Sequence, residues 1–334
     1  MQKWLSRVIT GVAALAVVSS SLALAAAPIP TAAPNATGSG QGLEISPPVI
    51  ELRADPGQTV TATIRVRNVA SGPVIAKGRA DDFGAGSTED GQPKLLLEEE
   101  GATRYSLKYW ISSVPDLKLA PQELKTAVVN IVIPKNAEPG GHFGVIRFTA
   151  VPPELEGTGV SLSASVGTLV LLKVSGDVKD DLSLAEFSTV KLDSKGLVKS
   201  KASFFEAGPV GFVVRLRNNG TVHEKGTGGI TVTDTFGKNV GTLAVNEKGG
   251  NVLPDSVRRF EQTLAKKNLF GHYTAKLSLT YLGGQKQING TASFWVIPWK
   301  LIIIVFLALA LLFFVLKFSL GRYNQRIIAQ ARRR

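Results

Sequence analysis

The stretch Thr59–Arg67, TVTATIRVR, alternates polar and apolar residues from end to end. This period of two is typical of a β-strand that buries one of its faces. Turn-forming groups such as Asp55-Pro56-Gly57 and Asn218-Asn219-Gly220 lie between stretches of this kind. Many short strands with regular turns predict an all-β chain of the sandwich or barrel type. Other strand-like stretches are Val128–Ile133, Gly144–Ala150, Gly167–Val174, Gly211–Leu216, Gly229–Asp234, Thr274–Tyr281 and Asn289–Val296.

The order of turns and strands occurs twice. In each half a Pro/Gly turn leads into a strand that ends in Arg-Asn, first at Arg67-Asn68 and again at Arg217-Asn218. Further along, Gly141-His142-Phe143 and Gly271-His272-Tyr273 each lead into another strand. A repeated order of elements indicates two copies of one fold. We therefore predict two tandem Ig-like β-sandwiches, followed by one C-terminal transmembrane helix.

The boundaries of the two copies follow from composition. The first sandwich is predicted over residues 43–176 and the second over residues 182–294, with a short charged linker near Gly176–Asp181. The first copy is the longer one, and its extra residues are expected in Arg79–Tyr105. That segment is polar, acidic and rich in glycine, which suits a loop or an added hairpin at a sandwich edge. Loops on a rigid scaffold are frequent binding sites.

The C-terminal region has the pattern of a membrane anchor. Leu301–Leu316 is an unbroken apolar run, and with the residues before it the run reaches the roughly 20 residues that cross a hydrocarbon core. Trp295 and Trp299 flank the run on its N-terminal side, where aromatic residues prefer the membrane interface. We predict a transmembrane helix over residues 295–316 and a basic cytoplasmic tail over residues 317–334, with no acidic residue in the tail.

The N-terminus agrees with this orientation. Lys3 and Arg7 precede an apolar stretch, Val8–Ala26, that contains the small residues Ala23-Leu24-Ala25. These features predict a signal peptide over residues 1–26. The alternative is a retained first helix, which would give a two-pass protein with the same exterior part. Residues 27–42 are rich in Pro, Ala, Gly, Ser and Thr and predict a flexible linker. The chain is thus expected in the cell membrane, with its N-terminus outside and its C-terminus cytoplasmic.

Charge and cysteine content exclude several classes of protein. The net charge is +12, but nine of the 38 Lys and Arg residues lie in the signal and in the anchor region, which leaves 29 against 26 Asp and Glu in the exterior part. The scattered cations of that part do not form a nucleic-acid patch, so no nucleic acid is expected as a partner. The chain has no cysteine, which excludes thiol catalysis, cysteine-ligated zinc and iron–sulfur clusters.

The three histidines, His142, His223 and His272, could in principle form a metal site. His142 and His272 hold equivalent positions in the two copies, so a shared site would require the copies to fold onto each other. We expect instead that each begins a strand and makes local hydrogen bonds. No metal and no cofactor are predicted.

Carboxylates and sequence motifs do not predict a catalytic site either. Asp81-Asp82 and Glu98-Glu99-Glu100 could form an acid/base pair or a calcium site, but they lack the spacing of a calcium loop. We interpret them as a solvated acidic edge. GxSxG, P-loop and HExxH motifs do not occur in the sequence. Asn-X-Thr sequons begin at Asn35, Asn219 and Asn289 and matter only in a glycosylating secretory system.

Trp110 follows Tyr109 in the middle of the first copy. A tryptophan on a strand in such a place is usually part of the core. An exposed tryptophan could instead stack on a sugar or anchor a protein partner. We favour the core position because Ile111 and Val114 are nearby.

Several short sequence segments of the exterior part resemble those of one protein family. They are Glu44-Ile45-Ser46-Pro47-Pro48, the Asp55–Thr59 turn, Tyr109-Trp110-Ile111 and the segment from Ile133-Pro134 to Gly144. Together with FWVIPW at the start of the anchor, they resemble the WxL-interacting proteins of Gram-positive cell surfaces. The resemblance implies that the first domain binds peptidoglycan and that the second holds WxL-type surface proteins or host ligands. It identifies no ligand-contacting side chain, so the binding residues are unknown at this point.

The sequence thus predicts a surface-anchored, non-enzymatic binding or scaffold protein. Its exterior domains would bind cell-wall polymer or other surface proteins, with no small-molecule substrate. The alternative is an assembly factor or chaperone-like protein that presents an edge strand to exported subunits. A carbohydrate-active enzyme on the same scaffold would need two carboxylates about 5–10 Å apart in a groove.

Overall fold

The computed structural model describes residues 42–97, 102–151 and 165–331, and the side chains of 325–331 are not considered. It contains eighteen β-strands and one α-helix in this part of the chain. The predicted signal peptide, almost all of the linker and Glu98–Glu100 lie outside the described residues. The first nine strands are β1 Leu43–Ser46, β2 Val49–Ala54, β3 Thr59–Asn68, β4 Val74–Ala85, β5 Pro93–Leu96, β6 Leu117–Leu119, β7 Leu124–Val132, β8 Gly140–Val151 and β9 Ser165–Val174.

The first nine strands form two sheets that pack face to face, here named the first sandwich. One sheet has the order β1-β3-β7, and the other has the order β2-β9-β8-β4-β5 with β6 beside β4. The stretch that alternates in the sequence forms β3, where Ala62, Ile64 and Val66 are buried between exposed polar residues. Across from them, Ile146 and Val170 of the second sheet belong to the same buried cluster.

The other nine strands form a second pair of sheets, the second sandwich. They are β10 Leu182–Leu192, β11 Val198–Lys201, β12 Phe204–Phe205, β13 Val210–Asn218, β14 Thr227–Asp234, β15 Asn239–Val245, β16 Val257–Leu264, β17 Gly271–Tyr281 and β18 Lys286–Val296. The sheet orders are β11-β10-β13-β16 and β12-β18-β17-β14-β15. Phe212 of one sheet and Phe294 of the other meet edge to face at 5.9 Å inside a separate buried cluster.

Two equivalent asparagines carry the internal repeat. Asn68 at the end of β3 and Asn218 at the end of β13 are both fully buried. Each side-chain amide donates to the carbonyl four residues later, at Gly72 (2.8 Å) and Val222 (2.7 Å), and each side-chain oxygen accepts from the N–H two residues later. The Arg-Asn repeat of the sequence therefore marks the same buried turn in both sandwiches.

The extra residues of the first copy form the hairpin β4–β5 at the edge of its sheet, as predicted for Arg79–Tyr105. Arg79 itself lies inside β4. Trp110 lies in a short 3-10 turn, Lys108–Trp110, rather than on a strand, and it packs against the core as expected.

The C-terminal helix α1 runs from Trp299 to Ala331. The predicted start at 295 is wrong, because Trp295 and Val296 pair with His272 and Gly271 and belong to β18. The helix also continues beyond the predicted end at 316. Trp299–Asn324 is long and apolar enough to cross a membrane. The predicted all-β chain with a single C-terminal apolar helix is confirmed for the described residues.

Candidate functional site

The two sandwiches meet through an apolar cluster. Phe83, Phe143 and Leu171 are buried on the outer face of the six-stranded sheet of the first sandwich, and Leu253 of the second sandwich packs against them. The Gly141 N–H donates to the Thr221 carbonyl across the junction, at 2.8 Å. This contact fixes the outer face of one sheet next to one end of the second sandwich.

The β4–β5 hairpin adds a polar contact between the sandwiches. Glu89, in the hairpin turn, accepts two hydrogen bonds from the Arg215 guanidinium, at 2.5 and 2.7 Å. The Glu89 carbonyl also accepts from the Arg259 N–H at 2.7 Å. The hydrogen bond from Arg215 lowers the pKa of Glu89 and outweighs the effect of burial. The loop expected to carry binding thus contacts the second sandwich.

Beside these contacts lies an elongated cleft between the sandwiches. It comprises two adjoining pockets of about 380 and 630 Å³, which share Glu51, Lys225 and Asn251 in their walls. The first pocket has an apolar wall, and the second is lined largely by charged and polar groups. The apolar residues of the first pocket include Val49, Phe83, Leu169, Leu171 and Leu253.

Ion pairing holds the middle of the cleft. The Lys225 ammonium lies 2.7 Å from one Glu51 oxygen and 2.8 Å from the other. The Asn251 amide donates to Glu51 Oε1 at 2.8 Å. Burial alone would raise the pKa of Glu51, but these hydrogen bonds and the Lys225 charge lower it. Glu51 is thus an anion that bridges β2 to the second sandwich.

Buried polar atoms without a partner are concentrated here. Among the described residues four such side-chain atoms occur, and three of them, His223 Nδ1, Asn251 Oδ1 and Arg258 Nε, belong to residues that line the cleft. Burial lowers the pKa of His223 to about 4. The negative charge of Glu51 raises this pKa, and the positive charge of Lys225 lowers it. Unpaired buried polar groups are rare in folded proteins and call for an explanation. All three atoms are buried, so they do not themselves present donors or acceptors at the surface of the cleft.

One member of a pair of carboxyl groups lines the second pocket. Glu224 lines the pocket and shares a hydrogen bond with Asp180. Burial, followed by this bond and the Asp180 charge, raises the pKa of Glu224 to about 7. Lys173 donates to Asp180 at 3.0 Å, and the charges of Lys173 and Lys286 oppose the rise in the pKa of Glu224. Two carboxyl groups in direct hydrogen bond are too close for the 5–10 Å spacing of a glycosidase pair.

Strand β2 forms one long wall of the cleft. It pairs in parallel with β9, and in the described part of the chain no strand pairs with its other edge. Val49, Glu51 and Arg53 are exposed along it. Strand β2 is therefore an edge open to an extended peptide.

The structure does not bring the predicted site residues together. His142 lies 3.0 Å from the Glu138 carbonyl, and its ring packs on Trp110 at 4.2 Å. His272 packs on Trp295 at 4.9 Å, at the start of β17. The local role expected for His142 and His272 thus fits their positions. Within residues 42–97, 102–151 and 165–331, no group of three metal-ligating side chains occurs.

The predicted acidic edge at Asp81-Asp82 is wrong, because both side chains are buried. Asp81 pairs with Arg147 at 2.9 Å. Asp82 accepts the Leu107 and Lys108 N–H groups at 2.8 Å and the Ser106 hydroxyl. These partners come from distant segments of the chain, so no local sequence pattern indicates that the two carboxylates are buried.

No local sequence pattern predicts the residues that line the cleft. Glu51, Lys225 and Asn251 are far apart in the chain and form no motif. The one usable signal was His223, which has no counterpart among the paired histidines of the repeat. Of the sequons, Asn219 donates to the Ser183 hydroxyl and Asn289 lies within β18.

The fold and the cleft define an all-β protein with one helix able to span a membrane. No family model matches the chain, and no curated protein matches it. Among solved structures, the class 5 fimbriae chaperone CfaA is similar at 12% identity, covering 75% of this chain and 99% of that chain, with a TM-score of 0.38. The Pseudomonas aeruginosa CupB2 chaperone is similar at 12% identity over 76% and 100% of the two chains, with a TM-score of 0.34. The E. coli chaperone DraB is similar at 14% identity over 75% and 98%, with a TM-score of 0.35. Values this low do not transfer binding residues from one chain to another.

Proposed function

We propose that this chain is a membrane-anchored, non-enzymatic binding protein that holds an extended segment of another exported protein in the cleft. In this proposal α1 spans the cell membrane with its C-terminus cytoplasmic. Residues 43–176 and 182–294 would be two exterior Ig-like domains. The function corresponds to the assembly-factor alternative of the sequence analysis.

The observation that carries the proposal is the cleft beside the open edge of β2. An extended segment can add main-chain hydrogen bonds to such an edge, and its alternate side chains then enter neighbouring pockets. The apolar wall of the first pocket suits an aliphatic or aromatic side chain. Arg53, exposed at the second pocket, suits an acidic group of the partner, whereas Lys173 and Lys225 are paired with Asp180 and Glu51.

Binding to peptidoglycan or to WxL-type surface proteins remains a proposal that rests on the family resemblance. The cleft residues favour a polypeptide over a glycan, because the apolar wall contains no exposed aromatic ring on which a sugar could stack. Wall binding is therefore the competing outcome of the test.

The test is retention of partners by the full chain in detergent. Purified chain on beads is incubated separately with cell-wall sacculi and with exported proteins of its source cells. Val49→Asp places a charge on the cleft wall. Val69→Asp is the matched control, because Val69 is similarly exposed (47% against 41%) but does not line the cleft.

We expect one or a few exported proteins to be retained by the original chain and by Val69→Asp, and to be lost with Val49→Asp. Retention on sacculi that both variants preserve would overturn the proposal in favour of wall binding. Equal retention of proteins by both variants would show that the cleft is not the site, and the absence of any retained protein would also count against the proposal.

A further inference from the structure

The exposed apolar side chains of the second sandwich share one location. Between positions 182 and 296, five large hydrophobic side chains are exposed. All five lie at the end of the sandwich where α1 begins. They are Leu197, Phe204, Phe236, Phe270 and Trp295, with exposed fractions of 60, 44, 95, 70 and 49%.

Strand register establishes this placement. Trp295, near the end of β18, pairs with His272 on one side and with Phe204 on the other. Phe270 directly precedes β17, and Phe236 follows Asp234, which pairs with Tyr273 at the same end of the sheet. In the opposite sheet, Leu192 at the end of β10 leads into the turn that contains Leu197. Only Ile297 and Pro298 separate β18 from α1.

The loops that carry the two phenylalanines are fixed by hydrogen bonds. Asp234 Oδ1 accepts the N–H groups of Phe236 and Lys238, each at 2.9 Å. The Tyr273 hydroxyl lies 3.0 Å from the Phe270 nitrogen, which donates to it, and 3.1 Å from the Phe270 carbonyl. The backbone of both loops is therefore held in place while the rings point away from the core. Exposed aromatic rings on fixed loops mark an interaction surface.

The charges around these rings are mainly positive. Lys238, Lys266 and Lys267 are exposed at this end of the sandwich. Lys300 lies 2.8 Å from Glu206, and the Asp234 carboxylate is occupied by its own turn. Aromatic rings surrounded by lysines match the interface of an anionic bilayer, where rings enter the headgroup region and ammonium groups meet lipid phosphates.

We propose that this end of the second sandwich rests on the outer surface of the bilayer, with Phe236 and Phe270 inserted among the lipid headgroups. The inference rests on the proposed membrane anchorage of α1 and adds a second membrane contact to it. Because the connector is only two residues long, insertion of α1 already brings these loops to the membrane surface. The contact would hold the sandwich in one orientation relative to the membrane.

The absence of cysteine from the chain permits a direct test. Single-cysteine variants of the full chain are labelled with an environment-sensitive fluorophore and reconstituted into phosphatidylcholine vesicles with or without phosphatidylglycerol. The vesicles carry a nitroxide quencher on the lipid headgroup or on the acyl chain. Labels are placed by Phe236→Cys and Phe270→Cys. Val128→Cys is the control on the first sandwich, where Val128 is 58% exposed, and Val315→Cys reports insertion of the helix.

We expect headgroup nitroxide to remove most of the fluorescence at positions 236 and 270 and to leave position 128 unchanged. Quenching should increase with phosphatidylglycerol, and Lys266→Glu with Lys267→Glu should cancel that increase. If position 315 is quenched by acyl-chain nitroxide but positions 236 and 270 behave like position 128, the inference is overturned and the anchorage stands. If position 315 is not quenched, the anchorage itself fails, and this inference fails with it.

Discussion

Glu89 and Arg215 join the two sandwiches through two parallel hydrogen bonds, although they belong to different copies of the repeat. Bidentate arginine–carboxylate pairs are stronger and more directional than most ion pairs. Both side chains are about one-third exposed, so solvent screens part of the attraction. The added hairpin of the first copy therefore helps to set the angle of the cleft.

Glu89→Gln should loosen the junction by about 1 kcal/mol, because it removes the charge while retaining the shape of the side chain. We expect faster tryptic cleavage after Lys179, in the linker between the sandwiches. Glu138→Gln is the matched control, since Glu138 pairs with Arg104 within the first sandwich. Equal acceleration in both variants would contradict a role for Glu89 at the junction.

Acidification should destabilise the cleft through His223. Its pKa is about 4 in the folded chain and about 6.5 when unfolded, so the unfolded chain takes up the proton first and stability falls as the pH drops from 6.5 to 4. The charged groups that influence it are Glu51, Lys225, Lys173 and Arg53. His223→Gln should remove much of this loss. The melting temperature in detergent at pH 7 and pH 4.5 provides the measurement, and an unchanged pH dependence in the variant would refute the assignment.

Glu224 should make the chain less stable as the pH rises, which is the opposite of the effect of His223. Its pKa is raised to about 7 in the folded chain, so the folded chain keeps this proton more tightly than the unfolded chain does. The resulting contribution to stability is fully present below about pH 4.5 and is lost as the pH rises through 7. Glu224→Gln keeps the group neutral and should raise the melting temperature at pH 8 relative to the original chain. At pH 4.5 the two proteins should be similar. A difference of the same size at both pH values would indicate a packing effect instead.

The buried asparagines should be sensitive to substitution in both sandwiches. Asn218→Ala removes the hydrogen bonds that Asn218 makes with the Val222 carbonyl and the Gly220 N–H, and it leaves the Val252 carbonyl with the Glu224 N–H alone. We expect a loss of about 2–3 kcal/mol in the free energy of unfolding, measured with urea. Asn68→Ala should have a similar effect on the first sandwich. Asn239→Ala, at an exposed position, is the control and should change stability little.

The sequence predicted the strands that bury one face, because β3 and β18 alternate with a period of two. It predicted β8 less clearly, since most residues of that strand are buried on both faces and the alternation disappears. The helix start was misplaced because Trp295 and Val296 are as apolar as the helix that follows, and only pairing with β17 separates them from it. The cleft could not be predicted, because its walls come from β2, β9 and loops of the second sandwich. Asp82 likewise needed partners more than 20 residues away.

Strand β18 has a consequence for where partners can be met. It extends from Lys286, next to Gln285 of the cleft wall, to Val296, with two residues between its end and the helix. If α1 spans the membrane as proposed, the 11 residues of β18, at about 3.3 Å each, set a height of up to about 36 Å between the bilayer surface and the cleft. The second sandwich would then hold the cleft at a fixed distance from the membrane, because only Ile297 and Pro298 separate β18 from α1. A polypeptide reaching this cleft would have to be within one small domain's thickness of the membrane, as a chain is just after it has crossed.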